Sequence, residues 1–271
     1  MNYTVKIPSI DDFQMTYYSS AQEEKFVPKT FPPHVHDELE VYILVEGDVS
    51  FMVENNLYKL SPGDALLSKP NEMHNCILNS ESVHKHLCFW FNPNCSFLLG
   101  GLNAKEFGRD NLVSPEADRE EVLALCKKLS DPPEKADDLQ SFSLAVRLIA
   151  LLDKNMGSKT VEKPTLVLPP LLKEILKDLN ENFAVIDTLE YFKEKYFISQ
   201  STLNRLFKNY LHTTPHHYLE TKKLAQSRIL LKKGKSVFDA CLEAGFADYS
   251  NYIRLFKKRF GVTPKQYLTQ F

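Results

Sequence analysis

The sequence of 271 residues predicts an α+β protein of two domains, a β-barrel or sandwich that carries a helical segment, followed by an all-α domain. Two observations support this fold class. Short β-forming stretches separated by turn residues fill residues 1–91, which is typical of a barrel or sandwich. A helix-turn-helix pattern then occurs twice, at an offset of 49 residues, and such repeats rarely arise by chance. We expect a first domain at 1–156, a polar linker at 157–169 and a second domain at 170–271.

The first domain is expected to begin with short strands. Asn55-Asn56 suits a two-residue hairpin turn, because asparagine tolerates a positive φ. Pro62-Gly63 marks a further turn. The predicted strands are residues 13–18, 39–45, 49–53, 57–60, 65–67 and 84–91.

Two helices are predicted after the strands, at residues 116–129 and 139–152, because apolar residues recur there at helical spacing. The apolar surface of the second helix is wider than one contact with a barrel needs. Packing on the barrel alone therefore stays open beside a helix-to-helix contact in a dimer. We favour the dimer, because duplicated DNA half-sites favour dimeric proteins.

The clearer helix-turn-helix pattern is the second unit, residues 236–267. Ser236 and Asp239 form a capping-box pattern that predicts the start of its first helix. Gly245 suits the left-handed position that ends that helix, and Asp248 can cap the next one. The second unit is therefore predicted to be two short helices joined by a tight turn, with a basic second helix.

The first unit, residues 187–218, repeats this pattern more loosely. Asp187 and Glu190 stand at the positions of the capping pair, and Ser199 stands at the position of the second cap. A further helix is expected at 171–182, before the first unit. A long helix at 215–232 joins the two units and, at about 1.5 Å per residue, spans roughly 27 Å. This length is of the order of one duplex turn, about 34 Å, so both second helices could enter successive major grooves.

Charge is divided unevenly along the chain. Residues 170–271 contain 17 Lys and Arg against 10 Asp and Glu, whereas the remainder contains 16 against 25. A basic final third on an acidic body indicates a polyanionic partner for that third alone. The alternative is scattered surface charge, which the concentration of Arg and Lys on the two second helices disfavours.

The cysteines and the hydropathy indicate a cytoplasmic protein without membrane contact. The five cysteines are odd in number and contain no closely spaced pair, and the N-terminus has no secretory signal. No apolar run approaches the roughly 18 residues of a membrane span. We therefore expect reduced thiols in the cytoplasm.

About the last 100 residues resemble the AraC/XylS family of transcription regulators. The resemblance is carried by residues 240–258, which read Ala-Cys-Leu-Glu-Ala-Gly-Phe-Ala-Asp-Tyr-Ser-Asn-Tyr-Ile-Arg-Leu-Phe-Lys-Lys, and by Gly-Val-Thr-Pro-Lys-Gln-Tyr at 261–267. The first unit departs from the family pattern, since Lys193 stands where a small apolar residue is usual and His212 where glycine is usual. We therefore expect the first unit to be less tightly packed.

The resemblance implies that the second helix of each unit is a recognition helix for double-stranded DNA. By position in the family, the residues that contact bases would be Ser201, Asn204 and Arg205 in the first unit and Tyr249, Ser250 and Arg254 in the second. Arg is the usual bidentate reader of guanine and Asn of adenine. Phosphates would be held by Lys208, Lys257, Lys258 and the helix N-terminus near Asn251. An ion pair within the domain is the alternative role for Arg205 and Arg254.

The N-terminal half resembles the cupin-like sensor domain of many members of that family. The resemblance is carried by His34, His36 and Glu40, by Gly47, and by the segments 62–64 and 70–74. In metal cupins the residues that correspond to His34, His36, Glu40 and His74 bind one divalent ion. We expect strand alternation to turn the first three to one face. A metal site, an effector pocket and structural histidines stay open, and we favour an effector pocket without a cofactor. His84 and His86 could face the same interior.

Together these features predict a sequence-specific regulator of transcription, not an enzyme. The resemblance implies a homodimer and a small-molecule effector, which we expect to be a sugar. It also implies contact with RNA polymerase, with activation of transcription as the commoner outcome. Two alternatives stay open. One is a metal-dependent cupin enzyme with a DNA-binding domain, and the other is a dimeric regulator that binds no effector.

Overall fold

The computed structural model of the chain describes residues 3–6, 13–19, 33–91, 111–130, 138–156 and 168–269. Contacts divide the chain into two compact units, Met1–Phe31 with Asp37–Leu166 and Pro32–His36 with Val167–Phe271. Most of the predicted linker at 157–169 lies outside the described residues. Among the helices that the structure describes, none is both long enough and apolar enough to cross a membrane.

The N-terminal half is built from two antiparallel sheets. The larger sheet has the order β1-β2-β8-β3-β6-β9 and the smaller one the order β5-β4-β7. The strands are β1 Tyr3–Lys6, β2 Phe13–Ser19, β3 Leu39–Glu46, β4 Val49–Val53, β5 Asn56–Lys59, β6 Ala65–Ser68, β7 His74–Leu78, β8 Lys85–Phe91 and β9 Leu112–Val113. The six predicted strands are confirmed with shifts of one or two residues at most, whereas β1, β7 and β9 were not predicted.

Strand β3 is buried on both faces, which explains its continuous apolar composition. On one face, Leu39, Val41 and Ile43 share a core with β8 and with two helices, α1 Arg119–Ser130 and α2 Asp138–Asn155. On the other face, Tyr42 and Leu44 pack with residues of the smaller sheet. The interior face of the larger sheet therefore carries the even-numbered residues of β3, including Glu40.

The hairpin between β4 and β5 differs from the prediction by one residue. The turn consists of Glu54 and Asn55, since Val53 pairs with Asn56. Glu54 adopts the left-handed conformation, with φ of 52°. The backbone N–H of Met73 donates to Glu54 Oε1, and the N–H of Glu54 donates to the Met73 carbonyl, so tertiary contacts hold this turn. Assigning the turn to Asn55-Asn56 was therefore wrong.

Most of the apolar surface of helix α2 is covered within the chain. Ala145, Leu148, Ile149, Leu151 and Leu152 belong to the core that lies between the larger sheet and the helices. Leu139 is an exception and is 76% exposed. Packing within the N-terminal half thus accounts for most of the wide apolar surface that the sequence of this helix shows. A contact of this helix in a dimer stays a prediction.

The C-terminal half consists of helices. They are α3 Pro170–Asn182, α4 Glu190–Tyr196, α5 Gln200–Leu211, α6 Pro215–Lys232, α7 Val237–Glu243, α8 Tyr249–Phe260 and α9 Pro264–Leu268. Helices α4 and α5 form the first unit, α7 and α8 form the second, and α6 joins them as predicted. Helix α6 is largely buried, because both units pack around it.

Most local signals of the second unit are confirmed. Ser236 Oγ accepts from the N–H of Asp239, and Asp248 accepts from the N–H of Asn251, so both N-caps form. The reciprocal half of the predicted capping box does not form, because the Asp239 carboxylate accepts from Ser236 Oγ and not from the Ser236 N–H. Gly245 has a φ of 84°, in the left-handed region that the end of α7 requires. The second unit therefore folds as its sequence indicates.

The first unit departs from the repeat in its first helix. Helix α5 begins 49 residues before α8, but α4 begins only 47 residues before α7. Leu189 is the residue before α4, and no side-chain cap is formed there, so Asp187 is not the predicted cap. Phe197 ends α4 with a φ of 52°, and its side chain is 94% exposed. At the end of α5, His212 adopts the left-handed conformation with a φ of 50°, at the position where the family usually has glycine.

Candidate DNA-binding surface and effector pocket

Helix α8 has a buried face and an exposed, basic one. Tyr252, Leu255 and Phe256 are buried, and Leu255 packs in the core of the second unit. The exposed face carries the predicted contacts Tyr249, Ser250, Arg254, Lys257 and Lys258. Asn251 is half-buried, and its Oδ1 accepts a hydrogen bond of 2.7 Å from Arg254 Nη2. This bond orients the Arg254 guanidinium, whose remaining N–H groups can still donate.

Helix α5 has the same two-faced arrangement. Ser199 caps it by accepting from the N–H of Thr202 at 3.1 Å, and Leu203, Phe207 and Leu211 form its buried face. The predicted contacts Ser201, Asn204, Arg205 and Lys208 are all exposed. Gln200 Nε2 donates to Asn204 Oδ1 at 3.1 Å. Both second helices therefore present polar and cationic side chains along one exposed face.

The alternative role for the two arginines is not supported by the geometry. Within the part of the chain that the structure describes, neither Arg205 nor Arg254 forms an ion pair. Both side chains are exposed. An unpaired arginine on an exposed helix face is available to a guanine edge or to a phosphate.

Glu40 is the centre of the polar interior of the N-terminal half and is only 5% exposed. Trp90 Nε1 donates to Glu40 Oε2 at 3.0 Å, and Cys88 Sγ lies 3.7 Å from Oε1. His74 Nε2 lies 3.4 Å from Oε2. A buried carboxylate requires such partners, because burial without them is costly.

His74 stands at the start of β7 and its ring is fixed from two sides. Nδ1 donates to the Glu72 carbonyl at 2.9 Å, while Nε2 faces Glu40. Burial alone would lower the pKa of His74, but the Glu40 carboxylate and the Glu72 carbonyl outweigh it and raise that pKa. The pair therefore favours an imidazolium next to a carboxylate.

His34 and His36 are not on the same strand as Glu40, contrary to the prediction. Strand β3 begins at Leu39, so both histidines lie before it, and strand alternation does not orient them. Their ring centroids are 5.8 Å apart. One ligand atom from each of His34, His36, Glu40 and His74 nevertheless lies within 4.8 Å of the others. Three imidazoles and one carboxylate at these distances are a donor set that suits Zn, Fe, Mn or Ni.

A second polar group in the interior consists of Tyr42, His84 and His86. The Tyr42 hydroxyl lies 2.7 Å from His84 Nε2, and His86 Nδ1 lies 3.2 Å from the same nitrogen. Burial lowers the pKa of His84 to about 4 and that of His86, with a further contribution from His84, to about 3. Both imidazoles are therefore neutral at pH 7 and offer a donor and an acceptor each.

The expectation that His84 and His86 face the interior is confirmed by their contact with Tyr42. Tyr42 was missed as a neighbour of the predicted site. A signal for it existed in the period-2 alternation of strands, because Tyr42 follows Glu40 by two residues, just as Trp90 continues the series His84, His86, Cys88. Strand pairing brings Glu40 opposite Trp90, and no local pattern encodes that register.

Comparison with known proteins agrees with this architecture. A family model described as an AraC-like ligand binding domain matches residues 16–152, and one described as a helix-turn-helix domain matches residues 194–270. The transcriptional activator RhaS of Escherichia fergusonii is 24% identical in an alignment of 271 positions that covers 96% of this chain and 96% of the relative. RhaS of Salmonella schwarzengrund is 25% identical, over 95% of this chain and 94% of the relative.

Solved structures are similar over the whole chain or over the C-terminal part. ToxT from Vibrio cholerae O395 is 14% identical, covers 96% of this chain and 98% of its own, and has a TM-score of 0.37. The C-terminal domain of AraT, a response regulator from Geobacillus stearothermophilus, is 24% identical. It covers 38% of this chain and 88% of its own, with a TM-score of 0.37.

Proposed function

Because the chain belongs to the AraC family of DNA-binding transcription regulators, we propose that it grips two adjacent DNA half-sites with helices α5 and α8 under the control of a small molecule bound in the N-terminal domain. The observation that carries this proposal is the exposed cationic face on both second helices. Arg205, Asn204 and Arg254 read base edges, and Lys208, Lys257 and Lys258 hold phosphates. We also propose that the protein acts in the cytoplasm.

The chemistry of the interior supports a neutral, hydroxyl-rich effector such as a sugar. His84 and His86 are neutral at pH 7, and Tyr42 adds a hydroxyl. Glu40 accepts hydrogen bonds, and Trp90, whose Nε1 donates to Glu40, offers an apolar ring. Sugars need this mixture of donors, acceptors and aromatic surface. His34, His36, Glu40 and His74 bind the effector in this proposal.

The regulatory outcome that we propose is activation through contact with RNA polymerase by a homodimer. The RhaS relatives are named transcriptional activators. Leu139 on α2 is a large apolar side chain that the N-terminal half leaves exposed, which supports a helix-to-helix contact between two copies. The effector controls DNA binding only if it binds one arrangement of the protein more tightly than the other.

A thermal-shift panel of sugars tests the effector. A sugar that binds the folded protein raises its unfolding midpoint, by the equivalent of about 2.7 kcal/mol at 100 times the Kd. The Glu40→Gln variant should lose the shift, because it replaces the carboxylate at the centre of the interior by a neutral amide with only one acceptor oxygen. Glu46→Gln on the same strand is exposed and should keep the shift. If no sugar moves the midpoint of the wild-type protein, the protein is a regulator without a sugar effector.

A metal-dependent enzyme with a DNA-binding domain is the second candidate, because four ligand atoms lie within 4.8 Å of one another. It would hold a divalent ion on His34, His36, Glu40 and His74. The metal content of the purified protein, measured for the wild type and for His36→Ala, separates the candidates. A stoichiometric ion that His36→Ala loses, together with a turnover that depends on it, would favour the enzyme.

A further inference from the structure

The turn of the second helix-turn-helix unit touches the segment that leads into the first unit. Gly245 lies between α7 and α8, and a Cβ atom at this position would stand 2.1 Å from the carbonyl oxygen of Ala184 and 2.7 Å from its carbonyl carbon. Ala184 belongs to the segment that leads from α3 into the first unit. The backbone of one unit therefore rests on the backbone that precedes the other, at a distance that admits no side chain.

Lys223 joins both sides of this contact from the middle of α6. Its Nζ donates to the carbonyl of Ile186 at 2.8 Å and to the carbonyl of Gly245 at 2.6 Å. Ile186 leads into the first unit, and Gly245 forms the turn of the second. Lys223 is only 6% exposed, although its side chain is charged. Burial lowers the pKa of its amine, and the nearby Asp187 opposes that effect.

The energetics of this arrangement make the contact rigid. Hydrogen bonds from an ammonium to carbonyls are stronger and shorter than neutral ones. If the ammonium moved away, the two carbonyls would lose a charged hydrogen-bond partner, and a polar group that is left unsatisfied costs free energy to the extent that it is buried. Side-chain packing, such as that of Phe207 on Tyr218 and of Arg228 on Phe260, holds each unit to α6 separately.

We propose that Lys223 is a positioning residue that fixes the two helix-turn-helix units relative to each other and thereby sets the spacing of DNA half-sites that the protein accepts. Lys223 itself touches no DNA in this proposal. The inference rests on the proposed function, in which both units bind one duplex. Two binding modules that are linked rigidly gain the most affinity at the one spacing that fits their separation. If the link between the units is flexible, the gain in affinity is distributed over several half-site spacings, and the affinity at the best spacing is lower.

The test compares spacing profiles of the full-length protein. Half-sites are first identified by selection of bound sequences from random DNA. Affinity is then measured on duplexes in which base pairs are removed or added one at a time between the half-sites. The wild type should prefer one spacing over its neighbours by about tenfold or more. Lys223→Met, which keeps the side-chain length but removes the ammonium, should reduce that preference to about threefold or less.

Three controls separate positioning from a loss of folding or of charge. Lys233→Met removes the same charge from the exposed end of α6 and should keep the wild-type profile. Lys223→Arg restores a cationic donor and should restore the preference at least in part. A duplex with only the half-site of the second unit should bind Lys223→Met and the wild type equally. If Lys223→Met does not fold, as judged by circular dichroism, Lys223→Gln provides the same comparison.

The outcomes distinguish this inference from the proposed function. A folded Lys223→Met variant with a spacing profile as sharp as that of the wild type overturns the role of Lys223 and leaves the proposed function intact. A wild-type protein that binds all spacings equally overturns the simultaneous use of both units, and with it the basis of the inference.

Discussion

At the scale of single residues, the buried polar groups of the N-terminal interior form hydrogen bonds or close contacts with one another. The Glu40 carboxylate accepts from Trp90, and His74 stands beside it with a raised pKa. His84 and His86 are kept neutral by burial and bonded to each other. The same few residues thus combine one histidine whose pKa is raised with two whose pKa is lowered, and their contributions to stability respond to pH in opposite directions.

The neutral pair predicts a loss of stability in acid. The pKa of His86 is about 3 in the folded protein and about 6.5 in an unfolded chain. Between these values the unfolded state binds more protons, so the free energy of unfolding falls as the pH drops from about 6.5. By pH 4 this one group lowers it by about 3 kcal/mol. We expect His86→Gln to flatten this decline, as measured by urea unfolding from pH 7 to 4.

The comparison must exclude a general effect of losing a histidine. His216 is exposed on α6, so His216→Gln serves as the control for the loss of a histidine outside the N-terminal interior. Parallel stability curves for the wild type and His86→Gln over this range would contradict a neutral, buried His86.

At the scale of the helices and strands, local signals predicted the second unit and helix α5 well, and helix α4 of the first unit poorly. Ser236, Gly245 and Asp248 act where the sequence indicates, because capping and left-handed turns depend on neighbouring residues. Helix α4 starts later than the repeat suggests and ends at Phe197, a residue type that carries no signal for the left-handed conformation. The placement of His34 and His36 on the strand of Glu40 was wrong for a similar reason, since histidine suits a strand or a loop.

Helix α8 yields a prediction that separates base contact from phosphate contact. Arg254→Ala should weaken specific DNA binding by about 1–3 kcal/mol and relax the preference at one base position. Lys257→Ala should weaken binding to all sequences alike and reduce the salt slope by about one unit. Both are measured by titration of the selected site and single-base variants at several salt concentrations. If Arg254→Ala weakens binding to all sequences equally, Arg254 contacts phosphate and not a base. If Lys257→Ala leaves the salt slope unchanged, Lys257 does not contact DNA.

At the scale of the whole molecule, the two-domain architecture could be predicted because it leaves repeated and compositional traces. The 49-residue repeat, the strand pattern and the uneven charge are each visible in the sequence. Contacts between distant parts of the chain leave no such trace. The bonds from Lys223 to Ile186 and Gly245 join residues that are 37 and 22 positions away, and no local sequence pattern around Lys223 indicates either partner. The candidate DNA surface was therefore predictable, whereas the link that orients its two halves was not.

The central claim is that α5 and α8 bind two half-sites on one face of a duplex at the same time. The most direct measurement is the affinity of the wild-type protein for the selected duplex and for the same duplex with five base pairs inserted between the half-sites. The insertion turns the second half-site to the opposite face, so we expect a loss of about 100-fold, down to the affinity for a single half-site. An affinity that is unchanged by the insertion would contradict the account.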